Sequence, residues 1–357
     1  MSVKIGRVGW LGVAVETSAG SGGDTPVKYI PLTAQSFNNV IEVLDDEAAK
    51  GIRERAWGSV TARTRGEGDV TILLDAENAP YLLYAALGNM SSQCVEGGIY
   101  QHILTRKSGN PPRTLCFNVN DTVSTRKYHY ATANTCEISF TDGFAELTAN
   151  IISQAPSAGT GTLAITEENV LAFKDAKIYF GSTFSEAQNN YQNDTNGQAL
   201  SAFRLTINNN AEAHYTAGSS SPNHIAIGQF ELGGDYTLFF EDTTEQSAHE
   251  DQTQRSMVVA FTGGTIGTTT EKIIIEIPKF HITDRGIDTA PAGFVTENPT
   301  FVGDYDSTYG SIVVKIVNQT QTYPGQTISS SSSCSSSSSR SSSSSSFSSS
   351  SSSSWSC

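Results

Sequence analysis

Apolar and polar residues alternate through most of this chain, the period-two pattern of strands with one buried face. It is clearest at residues 145–152, where Leu147, Ala149 and Ile151 alternate with polar neighbours. The same pattern predicts strands at residues 29–32, 37–43, 59–63, 69–74, 99–104, 113–119, 127–131 and 136–140. In the second half it predicts strands at residues 205–210, 225–232, 257–261, 273–277, 294–306 and 312–317. A helix-like apolar stripe appears at residues 81–87, with Pro80 suited to the first turn and Gly88 to the stop. Residues 243–249 form a polar counterpart. Many strands with one short helix per half predict an all-β fold, a β-sandwich or partial barrel.

The chain also repeats itself. Gly68-Asp69-Val70-Thr71-Ile72-Leu73 is echoed by Gly234-Asp235-Tyr236-Thr237-Leu238-Phe239, 166 residues later (234 − 68). Thr141-Asp142-Gly143 is echoed by Thr308-Tyr309-Gly310 at 167 (310 − 143). The shared offset predicts two tandem β-domains, residues 28–155 and 165–318, joined by a linker at 156–164. A Gly/Ser-rich flexible arm is expected at residues 1–27, and a linker with a disordered serine-rich tail at 319–357. The charged segment of residues 45–57 joins two strands as a short helix or a projecting hairpin loop.

Formal charge is −14. That balance argues against direct nucleic-acid binding, which needs a basic patch to displace counterions, while an acidic wall repels a polyanion that must slide past it. The five cysteines lack CxxC spacing, and no run approaches the length of a membrane helix. The N-terminal apolar run is short and glycine-broken, so no signal peptide is expected and the chain is expected to fold in a cytoplasm. The six histidines show no HExxH spacing, Gly263–Gly267 lacks the P-loop lysine, and no Gly-x-Ser-x-Gly elbow occurs. Neither a catalytic site, a metal nor a cofactor is expected.

Several blocks together resemble the major tail tube proteins of long-tailed, siphovirus-type bacteriophages. They are Lys28-Tyr29-Ile30-Pro31-Leu32, the stretch from Gly51 through Trp57 into Gly68-Asp69, Ala85-Ala86-Leu87-Gly88, Leu205-Thr206-Ile207-Asn208, Ile275-Glu276-Ile277-Pro278 and Asp306-Ser307-Thr308-Tyr309-Gly310. The resemblance implies a structural virion protein, assembled in the host bacterial cytoplasm, whose rings stack into a tube that passes DNA without inserting in a membrane. A duplicated member is expected to form a trimer imitating six-fold symmetry, in contact with tape measure and tail terminator or tip proteins. Glu67, Asp69 and Asp235 are the lumen-facing candidates. Asp45, Asp46, Glu47, Arg53, Arg55 and Trp57 are the candidates for a loop reaching the next ring. The competing expectation is a capsid decoration or surface-binding β-sandwich.

Overall fold

A computed structural model describes residues 9–48, 55, 58–110, 113–198, 200–239, 244–288, 295–324 and 327–328. The serine-rich tail, Arg53 and Trp57 lie outside the described residues. As expected, the described residues are mostly antiparallel strand, and among them are three α-helices: α1 (Ala79–Leu87), α2 (Phe184–Gln192) and α3 (Thr244–Glu250).

One sheet crosses both halves of the sequence. From edge to edge it contains residues 34–45, Ser59–Leu73, Glu146–Ser153, the end of Thr125–Phe140, Ala202–Asn208, Glu231–Phe239, Thr300–Gly303, and the end of Thr269–Asp284 continued by Ile287–Asp288. A second set of strands packs over its apolar face. It includes Trp10–Val15 and Leu115–Asn120 from the first half, and Ala176–Gly181, Arg255–Ile266 and Val313–Asn318 from the second.

The two 16-residue strands belong to both sets, and β-bulges turn them. Leu115 and Phe117 pair with Ala131 and Tyr128, leaving an extra residue on the long strand. Arg255 and Met257 pair with Phe280 and Ile277 in the same way. Further along, Asn150 and Ile151 pair with Thr135 and Ala133, while Thr300 and Phe301 pair with Asp284 and Ile282. Both bulges therefore recur at corresponding places in the two halves. Pro278 falls inside one of them, where a missing N–H costs no ladder bond.

Three expectations need correction. Trp10–Val15 is not part of a flexible arm: it is a fully buried strand between Lys28–Ile30 and Leu115–Asn120. Buried Glu16 fixes its end by accepting from Gly20 N (2.7 Å), Tyr130 N (2.9 Å) and Thr114 Oγ1 (2.6 Å). Residues 156–164 are not a free linker, because Ser157–Ala158 pair with Lys127 and Arg126, and Thr160 and Thr162 donate to Asn118 and Tyr29. The halves also share a single core, in which Phe117, Leu147 and Ile151 belong to one apolar cluster with Phe203, Leu205 and Phe301.

Helix α1 starts after Asp75, whose Oδ1 accepts the Glu77 and Asn78 N–H groups, and ends at Gly88 with φ 84°. All nine of its residues are buried, so it is a core helix enclosed on every side. Asn209 locks it to the sheet, donating through Nδ2 to Ala86 O (2.8 Å) and Ala133 O (3.0 Å).

Candidate assembly surface

Strand alternation gives the long sheet one apolar and one polar face. Val70, Ile72, Leu147, Ala149, Ile138, Leu205 and Tyr236 enter the core. Their neighbours form polar rows across the sheet. One row passes from Thr71 through Thr148 and Glu137 to Thr206, and another from Asp69 through Asn150, Thr135 and Asn208 to Glu231. Rows run without interruption across the pairing of Thr125–Phe140 with Ala202–Asn208, the internal seam where the two halves meet within this sheet, while Val313–Asn318 pairs with Ile99–Arg106 across the other set of strands.

All three lumen-facing candidates lie on this polar face. Asp69 is exposed and accepts from Asn150 Nδ2 at 2.7 Å. Glu67 is bound by Arg65 Nε at 2.6 Å. Asp235 Oδ1 accepts from Arg204 Nε at 2.7 Å and NH2 at 2.5 Å, and that hydrogen bonding raises the Arg204 pKa. Two of the three carboxylates thus carry their own counter-charge. Sequence reasoning missed Glu137, Glu146 and Glu231 on the same face, although each stands at an outward position of a legible alternation. The carboxylates there outnumber Arg65 and Arg204, so the face is acidic but partly neutralised.

The charged segment begins at the tip of a hairpin arm formed by Asn38–Asp45 and Ser59–Leu73. Asp45 pairs with Ser59, Asp46 N donates to Gly58 O at 2.8 Å, and exposed Glu47 is bridged to Arg55 at 2.7 Å. Ile41, Val43, Leu44 and Val60 are exposed on this arm. Apolar residues on both faces of one strand were the available signal for an interaction surface there.

Elsewhere several titratable groups are engaged with one another. Glu245 joins Arg255 (2.7 Å) and Tyr236 Oη (2.7 Å) under α3, while the Arg255 guanidinium lies 4.6 Å from the Phe180 ring centre. Burial, reinforced by Glu245, pushes the Tyr236 phenol far up. Cys116 and Cys136 are free, and burial pushes both thiols up to about 12. Cys94, by contrast, is in a disulfide, which the irregular cysteine spacing did not predict. In the groove beside α2, Lys177 Nζ and Tyr179 Oη both bond Asp194, at 2.9 and 2.7 Å. Among the described residues, no three His, Cys, Asp or Glu side chains are grouped to hold a metal ion.

Residues 6–326 match the family described as phage tail tube protein. The chain belongs to that family. It is accordingly a structural protein of the bacteriophage tail, where it assembles with copies of itself into the tube. No curated protein matches the sequence.

Proposed function

We propose that the chain is a duplicated tail tube subunit, that three copies close into a ring, and that stacked rings form the conduit for viral DNA. In this reading one repeat runs from Trp10 to Ala158 and the other from Ala176 to Asn318. The observation that carries it is the recurrence of both bulges, at Leu115/Phe117 and Arg255/Met257 and at Asn150/Ile151 and Thr300/Phe301, within one sheet that still has two open edges. A head-to-tail contact either closes or runs on as a fibre, and a repeat already joined once within the chain supplies the geometry for closure.

The polar face is the lumen wall. Its excess of carboxylates repels a phosphate backbone, while Arg65 and Arg204, tied to Glu67 and Asp235, are kept from gripping it. The hairpin arm with Ile41, Val43, Leu44 and Val60 reaches the adjacent ring, where burial of those side chains contributes to stacking. Tape measure and terminator or tip proteins meet the tube within the lumen and at its ends.

Negative-stain electron microscopy of the purified chain over a concentration series tests this reading. Three-fold rings with six similar lobes, or hollow tubes built from them, are the expected result. Particles that remain isolated monomers at every concentration, with or without residues 329–357, would overturn it.

A further inference from the structure

Two histidines stand together in a part of the fold that the tube reading does not use. Residues 212–214 and 224–226 form a two-stranded hairpin between Ala202–Asn208 and Glu231–Phe239 in the chain, and its antiparallel register sets His214 directly opposite His224. Alternation turns Ala213 and Ile225 inward, onto Tyr130 and Ile152, and turns both histidines outward. Both are exposed. Whereas His102, His129 and His281 are each bonded to neighbouring side chains, neither ring of this pair is hydrogen-bonded or ion-paired among the described residues.

The hairpin is anchored on the first half of the chain. Thr64 N donates to Ser220 O at 2.7 Å, Gln154 Nε2 to Pro222 O at 3.1 Å, and Ala155 N to Ser221 Oγ at 3.1 Å. Its turn also closes on itself, with Asn223 N donating to His214 O at 2.9 Å and Asn223 Nδ2 to Thr216 Oγ1 at 2.5 Å. The backbone that carries the two rings is thus ordered before any ligand arrives, which removes much of the entropy cost of binding one.

We propose that His214 and His224 form a two-histidine site for a divalent transition cation of the copper, nickel and zinc class. Imidazole nitrogen suits these ions, whereas magnesium and calcium take oxygen ligands. Directly opposed side chains in an antiparallel pair stand about 4.5–5.5 Å apart at Cβ. A tetrahedral ion about 2.0–2.1 Å from each nitrogen holds the two nitrogens roughly 3.3 Å apart, a span within reach of rotation about the side-chain bonds of such a pair.

The surroundings favour a cation. Glu212 is exposed on the same face, two residues before His214, and the chain as a whole carries a net charge of −14. With two protein ligands, the remaining coordination positions are filled by water. The bound ion joins the two strands of the hairpin across their register, so it acts as a cross-strand clamp.

Calorimetric titration of the full-length chain with zinc, and separately with magnesium, tests the site. Wild type is compared with His214→Asn, His224→Asn and the double variant, and thermal melts without metal check that each variant folds. The double variant also measures zinc held elsewhere in the chain, by cysteines for example. The expected result is one zinc-binding event in the wild type that is at least tenfold weaker in each single variant and missing from the double variant, with no comparable event for magnesium. His214→Cys, which restores a zinc ligand at the same position, should bind zinc more tightly than His214→Asn. Equal zinc binding by wild type and double variant would overturn the site. Loss in only one of the single variants would overturn the pairing, and magnesium binding as tight as zinc binding would overturn the class of cation.

Discussion

Phe140 and Phe203 stand opposite each other across the internal seam, their ring centres 5.9 Å apart, and both are buried. Phe140 ends the strand Thr125–Phe140 of the first half, and Phe203 stands near the start of Ala202–Asn208 in the second. The seam is therefore sealed by aromatic packing as well as by ladder hydrogen bonds. Phe203→Ala removes that packing and leaves a cavity, at a cost of about 3–5 kcal/mol. Denaturant titration should show a lower midpoint, and hydrogen exchange should show the loss of protection spreading to residues 135–140.

Gly234 admits no side chain. A Cβ there would lie 2.0 Å from the Arg204 carbonyl oxygen and 3.0 Å from the Phe301 ring, and a backbone carbonyl within a ladder has nowhere to move. Gly234→Ala should lower stability by about 1–3 kcal/mol. Gly58→Ala, where a Cβ meets nothing within 4 Å among the described residues, should leave the thermal midpoint unchanged.

His102 bridges the Ser92 hydroxyl and Asn318 Oδ1 with no exposed surface, and burial lowers its pKa. The neutral ring is favoured in the folded chain, so the unfolded chain binds the extra proton first as pH falls. The stability from this group is complete above the unfolded value of about 6.5 and is lost as pH drops towards the folded value. Urea midpoints measured from pH 8 to pH 5 should fall for the wild type. The fall should be shallower in His102→Asn, which is less stable than wild type at pH 8.

Half-buried Arg255 pairs with buried Glu245, and Tyr236 is also bonded to the carboxylate. Removing only the cation strands a buried charge. Arg255→Met should cost about 3–5 kcal/mol, and the double variant Arg255→Met/Glu245→Gln should recover part of it. Thermal melts of both variants check the coupling.

Much of the fold was legible because each buried face leaves a period-two trace. Leu147, Ala149 and Ile151 point into the core as their alternation required. Helix α1 was also legible, from Pro80 and Gly88. Helix α2 was missed although Thr183 and Glu186 form a recognisable cap: Thr183 Oγ1 accepts from Glu186 N, and Glu186 accepts from Ser182 N. Its composition is too polar for an apolar stripe to stand out. Trp10–Val15 was misassigned because the glycine-rich run after it resembles a tether, whereas Glu16 pins that run by bonds to residues a hundred positions away. The polar face was partly legible, since Asp69 and Asp235 sit in the repeated motif. Its counter-charges were not, because Arg204 meets Asp235 only through strand register, which a local pattern does not encode.

The internal seam also bears on how assembly begins. Six separate tube domains must find one another in solution, and the chance of that encounter falls steeply with the number of bodies required. Here, strand 125–140 and strand 202–208 are tethered by a few tens of residues, so their meeting is intramolecular and independent of protein concentration. In the proposed ring of three chains, half the joints would be complete when each chain has folded. Only three bodies would then have to meet, which gives ring nucleation a third-order concentration dependence in place of a sixth-order one.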